Sequence, residues 1–176
     1  MRPSAFLLAA LIAAPAAARA QAATAPASPS AVADARGNFQ QMSNYVLQSA
    51  MEMPEEKYGF KPSPDVRSFG ELIAHVAGAQ AMFCAMALGE KAPAEDAVVA
   101  KTKADLVAAM RTSNAGCARA YGQADAGAMA MIDVFGQQHT RLYALIMNAA
   151  HTSEHYGNLV TYLRMNGLVP PSSRPM

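Results

Sequence analysis

The chain of 176 residues has no tryptophan, only two cysteines and 15% charged residues. Two thiols allow at most one internal disulfide, which excludes a disulfide-dense scaffold. Lys and Arg number 14 against 13 Asp and Glu, for a formal net charge of +1. No segment carries a basic stripe, so the electrostatic footprint of a nucleic-acid-binding domain is missing. Neither common glycine-rich phosphate loop occurs. No window alternates apolar and polar residues with β-branched enrichment, and the sequence therefore predicts no sheet.

What is present is apolar, at 52% of residues, and divides into an address and one domain. Arg2, the apolar run Ala5–Ala14 and the small-residue pattern Ala18-Arg19-Ala20 read as a signal peptide over residues 1–20, cleaved before Gln21. The run is too short to span a bilayer, which needs about 20 apolar residues, and no Cys near the cleavage site offers a lipid attachment point. The expected location is periplasmic or secreted, with no membrane association after cleavage. Residues 21–33, rich in Ala, Pro, Ser and Thr, read as a flexible leader.

Four segments then follow the helical period, and the predicted fold class is all-α. The first spans about Asp34 to Met53, with Phe39, Met42, Val46, Ala50 and Met53 on one face and Pro54 as its stop. The second opens on the capping box Ser68-Phe69-Gly70-Glu71 and ends near Gly89. Its inner face carries Leu72, Val76, Ala79, Phe83 and Met86. After a long connection over residues 89–102, a third begins near Thr102 or Lys103, with Leu106, Met110, Ser113, Cys117 and Tyr121 inward. The fourth runs from about Phe135 to Asn166 on a stripe of Leu142, Ile146, Ala149, Tyr156, Val160 and Leu163, closed by Gly167 and Pro170-Pro171. Four amphipathic helices with one long crossover predict a four-helix bundle over residues 34–171, with 172–176 as a tail.

The histidines carry the specific chemistry. His151 and His155, at i and i+4, project from one face of the fourth helix, where one cation can accept a nitrogen from each. His75 lies beside Val76 on the inner side of the second helix, and bundles build metal sites from facing helices. Three His plus water is an open coordination set for Zn²⁺ and for other divalent metals. His139 is set apart from this group, near its helix end. His151-Thr152-Ser153-Glu154-His155 also spells H-x-x-E-H, a zinc-peptidase pattern in which the Glu is a general base. No Asp or Glu follows His155 to complete that ligand set, so a peptidase fits poorly; Glu154 stays a candidate base or partner of a ligand. Tyr58, Tyr156 and Tyr162 are candidates to reach the pocket, whereas Tyr121 and Tyr143 read as packing residues. Cys84 and Cys117 are either a disulfide worth on the order of 3 kcal/mol across the crossover or two separate buried thiols.

Two stretches carry a family resemblance. Tyr58-Gly59-Phe60-Lys61-Pro62-Ser63-Pro64-Asp65-Val66-Arg67-Ser68-Phe69-Gly70-Glu71-Leu72-Ile73-Ala74-His75-Val76 resembles one signature of the DinB superfamily of bacterial metal-binding bundles. His151-Thr152-Ser153-Glu154-His155-Tyr156-Gly157-Asn158-Leu159-Val160-Thr161-Tyr162-Leu163-Arg164-Met165-Asn166-Gly167 resembles the other. The resemblance implies an up-down-down-up bundle, often a homodimer, holding a divalent metal, zinc or nickel, through His75, His151 and His155. It also implies a small-molecule substrate, since relatives include transferases and isomerases acting with low-molecular-weight thiols. An export signal is a departure from enzymes that rely on cytosolic thiol pools. The alternative is a non-catalytic bundle in which the metal clamps two helices.

Overall fold

The computed structural model describes residues 29–99 and 102–175. Residues 1–28, which include the expected signal peptide and most of the expected leader, lie outside the described residues. Among those described, four long helices dominate: α1 (Ala31–Glu52), α2 (Phe69–Leu88), α3 (Lys103–Ala120) and α5 (Arg141–Met165). A short helix, α4 (Asp125–Ala128), and a two-stranded antiparallel hairpin, β1 (Met131–Val134) with β2 (Gln137–Thr140), separate α3 from α5. α1 packs on α5, α5 on α2, and α2 on α3.

Each long helix starts on a side-chain cap. The Ser68 hydroxyl accepts from Glu71 N at 3.2 Å and the Glu71 carboxylate accepts from Ser68 N at 2.6 Å, closing the predicted capping box on α2. Gly89, at φ 70°, ends that helix in the left-handed conformation. Thr102 caps α3 and Thr140 caps α5 in the same way. α1 begins three residues earlier than the periodicity predicts, so residues 31–33 are helix and not leader. Two side chains explain the extension. Ser30 caps Ala33 N, and the Asp125 carboxylate, brought in by α4, accepts from Ser30 Oγ, Ala31 N and Val32 N at 2.9–3.2 Å. These bonds hold the Asp125 carboxyl below the ordinary carboxylate range.

The hairpin corrects the expectation of a sheet-free chain and of a helix starting near Phe135. Its strands have four residues each, too few for a period-two pattern to stand out. Its turn, Phe135-Gly136, puts both central residues at positive φ, 53° and 82°, as two-residue hairpin turns require. His139 therefore sits on β2, stacked on Tyr143, and not on a helix. Of the residues expected to form a tail, 172–176, Ser172 and Ser173 complete a 3-10 turn begun at Pro171, where the Tyr156 hydroxyl bonds Ser172, and Arg174 beyond it pairs with Glu52.

Among the described residues the core has a small apolar region of Ala79, Met82 and Phe83 and two large ones. One gathers Val46, Met53, Phe69, Ile73, Leu159 and Leu163. The other gathers Phe39, Tyr121 and Leu145 around a disulfide between Cys84 and Cys117. A buried polar layer lies near it: Ser113 Oγ donates to Gln80 Oε1, Thr152 Oγ1 to the Asn148 carbonyl, and Asn148 Nδ2 to Tyr121 Oη. This layer rotates the buried face of α5 away from the predicted stripe. Asn148 and Thr152 are buried while Ile146 is 50% exposed. Polar side chains with hydrogen-bond partners, here Thr152 Oγ1 and Asn148 Nδ2, can be buried, and a stripe drawn from apolar residues alone misses them.

Candidate metal centre

The capping box starts α2 so that His75 falls in its second turn. There the ring faces α5, on which helical spacing sets His151 and His155 side by side. The three imidazoles meet through their Nε2 atoms: 3.0 Å from His75 to His155, 3.1 Å from His75 to His151, and 3.0 Å from His151 to His155. Phe83 lies beside the His151 ring, with centroids 5.9 Å apart. His155 is buried, while His75 and His151 keep partial exposure.

Burial of the rings, with the Arg67 charge and then the His151 ring acting on His75, lowers the His75 pKa to about 4. Burial, then the neighbouring His151 and His75, lowers His155 to about 4. Burial lowers His151 as well, against the opposing pull of Glu95 and Glu154. Neutral imidazole, the form that ligates metals, is thus the resident state near neutral pH.

Three neutral rings in this arrangement cannot satisfy one another. Each Nε2 is either a donor or a lone-pair acceptor, so three mutual contacts leave at least one pair of like kind face to face. A shared cation removes the conflict, because all three nitrogens then present lone pairs to it. Of the outer nitrogens, that of His75 suits this arrangement. His75 Nδ1 lies 3.0 Å from the acceptor Glu95 Oε1, whereas His155 Nδ1 faces the Asn158 Nδ2 donor at 3.2 Å. The Glu95 contact places the His75 proton on Nδ1 and frees its Nε2. His151 Nδ1 is buried without a hydrogen-bond partner. The three side chains are compatible with holding one metal ion.

Two cavities flank the triad. One of about 900 Å³ reaches His155 between Lys61, Arg67, Glu71, Asn158 and Tyr162. Another of about 430 Å³ reaches His75 beside Arg67, Ala74 and Glu95. Glu154 is exposed on α5 and bonds none of the three rings; its influence there is the charge felt by His151 and His155. Of the tyrosines expected near the pocket, Tyr162 lines the larger cavity and donates to the Arg67 carbonyl at 2.6 Å. Tyr58 instead donates to the Ala50 carbonyl, and Tyr156 is tied to Ser172. Glu95 was not foreseen: it sits in the crossover, and nothing in its local sequence marks it as a partner of a residue 20 positions away.

Fold and site together define a mostly helical protein with a three-histidine cluster bridging two long helices. The DinB superfamily profile matches residues 38–159, and the chain belongs to that superfamily. Among solved structures, a DinB-like protein of Bacillus cereus ATCC 10987 is similar at TM-score 0.66 and 17% identity, over 77% of this chain and 95% of that one. A DinB-like protein of Bacillus subtilis is similar at TM-score 0.66 and 22% identity, over 81% of this chain and 99% of that one. At these identities the likeness concerns the fold. No curated protein matches the chain.

Proposed function

We propose that the protein binds one divalent metal ion, zinc or nickel, through His75, His151 and His155, and acts with it on a small molecule as a transferase or hydrolase. The observation that carries this reading is the convergence of three neutral imidazole nitrogens, 3.0–3.1 Å apart, beside cavities that admit solvent. A divalent ion in such a site lowers the pKa of a bound water or thiol, so that a nucleophile forms at neutral pH. The chain's own contribution is positional. Arg67 lines both cavities and gives them a positive side, Tyr162 orders the segment that carries Arg67, and Glu154 is the candidate base.

The helices are assigned up-down-down-up. Gln80 pairs with Ser113 and Cys84 with Cys117, so α2 and α3 run together. His75 pairs with His155 and Cys84 with Asn148, so α5 runs against α2. Asn38 pairs with Ser153 and Tyr45 with Tyr156, so α1 runs with α5. Export by the amino-terminal signal is part of the proposal, and a disulfide suits an oxidising compartment. Homodimer formation is proposed with it.

The test compares wild type with His151→Ala, each supplied with zinc or nickel, on thiol-transfer and hydrolysis substrates in parallel. Turnover by wild type on at least one substrate, lost in the variant, is the expected result. Equal rates on every substrate contradict a catalytic metal. The second reading, a metal that only clamps α2 to α5, rests on the triad spanning those two helices. It predicts metal-dependent stability without metal-dependent turnover.

A further inference from the structure

We infer that Glu95 is a positioning residue for the His75 ligand, and that Gly78 creates the space in which Glu95 can reach it. The inference rests on reading the triad as a metal site. Gly78 lies three residues after His75 on α2, hence on a neighbouring face of the same helix. A Cβ at Gly78 would fall 1.8 Å from the Glu95 carbonyl oxygen and 2.9 Å from its carbonyl carbon. Both obstacles are backbone atoms, so no rotamer change relieves them. Any side chain larger than hydrogen must move the crossover off the helix.

Past Glu90, which pairs with Arg119, the described part of the crossover is lightly held, and that makes the Gly78 contact decisive. Ala92 packs against the small apolar group of Ala79, Met82 and Phe83, and Val98 against the main core. Between them, the described hydrogen bonds are short-range turns, Ala97 N to the Ala94 carbonyl and Val99 N to the Ala97 carbonyl. Seated on Gly78, the loop delivers the Glu95 carboxylate to 3.0 Å from His75 Nδ1 and 4.0 Å from His151 Nε2. A carboxylate accepting from Nδ1–H fixes both the tautomer and the ring plane of a ligating His and makes its other nitrogen a stronger donor to metal. An ordinary half-exposed ion pair would fasten the loop and do nothing else.

The experiment measures zinc and nickel affinity by competition with a chromogenic chelator. The set is wild type, Glu95→Ala, Glu95→Gln, Gly78→Ala and the double variant Gly78→Ala/Glu95→Ala. Long-range ¹H–¹⁵N spectra of the metal-free proteins report the His75 tautomer. Glu95→Ala is expected to weaken metal binding by about 10–100-fold and to erase the Nδ1–H preference. Glu95→Gln, whose amide oxygen still accepts, recovers part of both. Gly78→Ala weakens binding in the wild-type background and adds nothing when Glu95 is already Ala, while far-UV helicity stays unchanged. Glu95→Ala within twofold of wild type, or a Gly78→Ala loss of equal size in both backgrounds, overturns the inference. A wild-type chain that takes up neither ion refutes the metal reading itself; the tautomer spectra then decide alone, and an Nδ1–H preference unaltered in Glu95→Ala overturns the Glu95 assignment.

Discussion

Reducing the Cys84–Cys117 bond offers a perturbation whose size can be worked from the chain itself. The bond closes a sequence separation of 33 residues, from the last turns of α2 across the crossover to the last turn of α3. In the chain-entropy treatment a loop of that length removes about 12.5 cal/mol/K from the unfolded ensemble, or about 3.7 kcal/mol at 25 °C. Against a total stability of about 5–15 kcal/mol for ordinary domains, that is a quarter or more of the whole. Both sulfurs are buried, and Asn148 Nδ2 lies 3.3 Å from Cys84 Sγ, so the reduced thiols stay packed and keep a polar neighbour. Urea unfolding with and without a phosphine reductant gives the difference directly. The expected loss is about 3–4 kcal/mol, with Cys84→Ala/Cys117→Ala insensitive to the reductant. A loss below about 1 kcal/mol would refute the claim that the link acts by restraining the unfolded chain.

Further predictions follow from the packing and the caps. Leu159→Ala, at a fully buried position, should cost about 2–5 kcal/mol, whereas Ile146→Ala, on the exposed side of α5, should stay within about 0.5 kcal/mol. Equal losses in denaturant unfolding would restore the predicted stripe in place of the observed one. Asp125 is held below its ordinary pKa by the bonds that start α1, so the unfolded chain takes up its proton first as pH falls. Its contribution is therefore complete above the ordinary carboxylate pKa of about 3.9 and disappears as pH drops through the lower folded value. The stability gap between wild type and Asp125→Ala should be constant at neutral pH and close in acid; a gap that persists to about pH 2 contradicts the assignment.

Much of this molecule is legible in its sequence because its determinants are local. The capping box at Ser68 and Glu71, the glycine at position 89 and the i, i+4 histidines each act over about one helical turn, and each falls where the spacing puts it. The features that escaped depend on distant partners. Asp125 lengthens α1 from 95 residues away, Asn148 and Thr152 are buried where Tyr121 and Gln80, from other parts of the chain, meet their side chains, and Glu95 reaches His75 only because Gly78 has no side chain. The hairpin is a local feature missed for another reason: two four-residue strands leave too short a pattern to distinguish from a helix end.

Elemental analysis of protein purified without added metal, set beside His75→Ala, His151→Ala and His155→Ala prepared identically, bears most directly on the central reading. Near-stoichiometric zinc or nickel in wild type, with a large loss in every one of the three variants, is the predicted result. Full metal content in the variants would mean that the ion, if present, is held elsewhere and that the three converging imidazoles are only core.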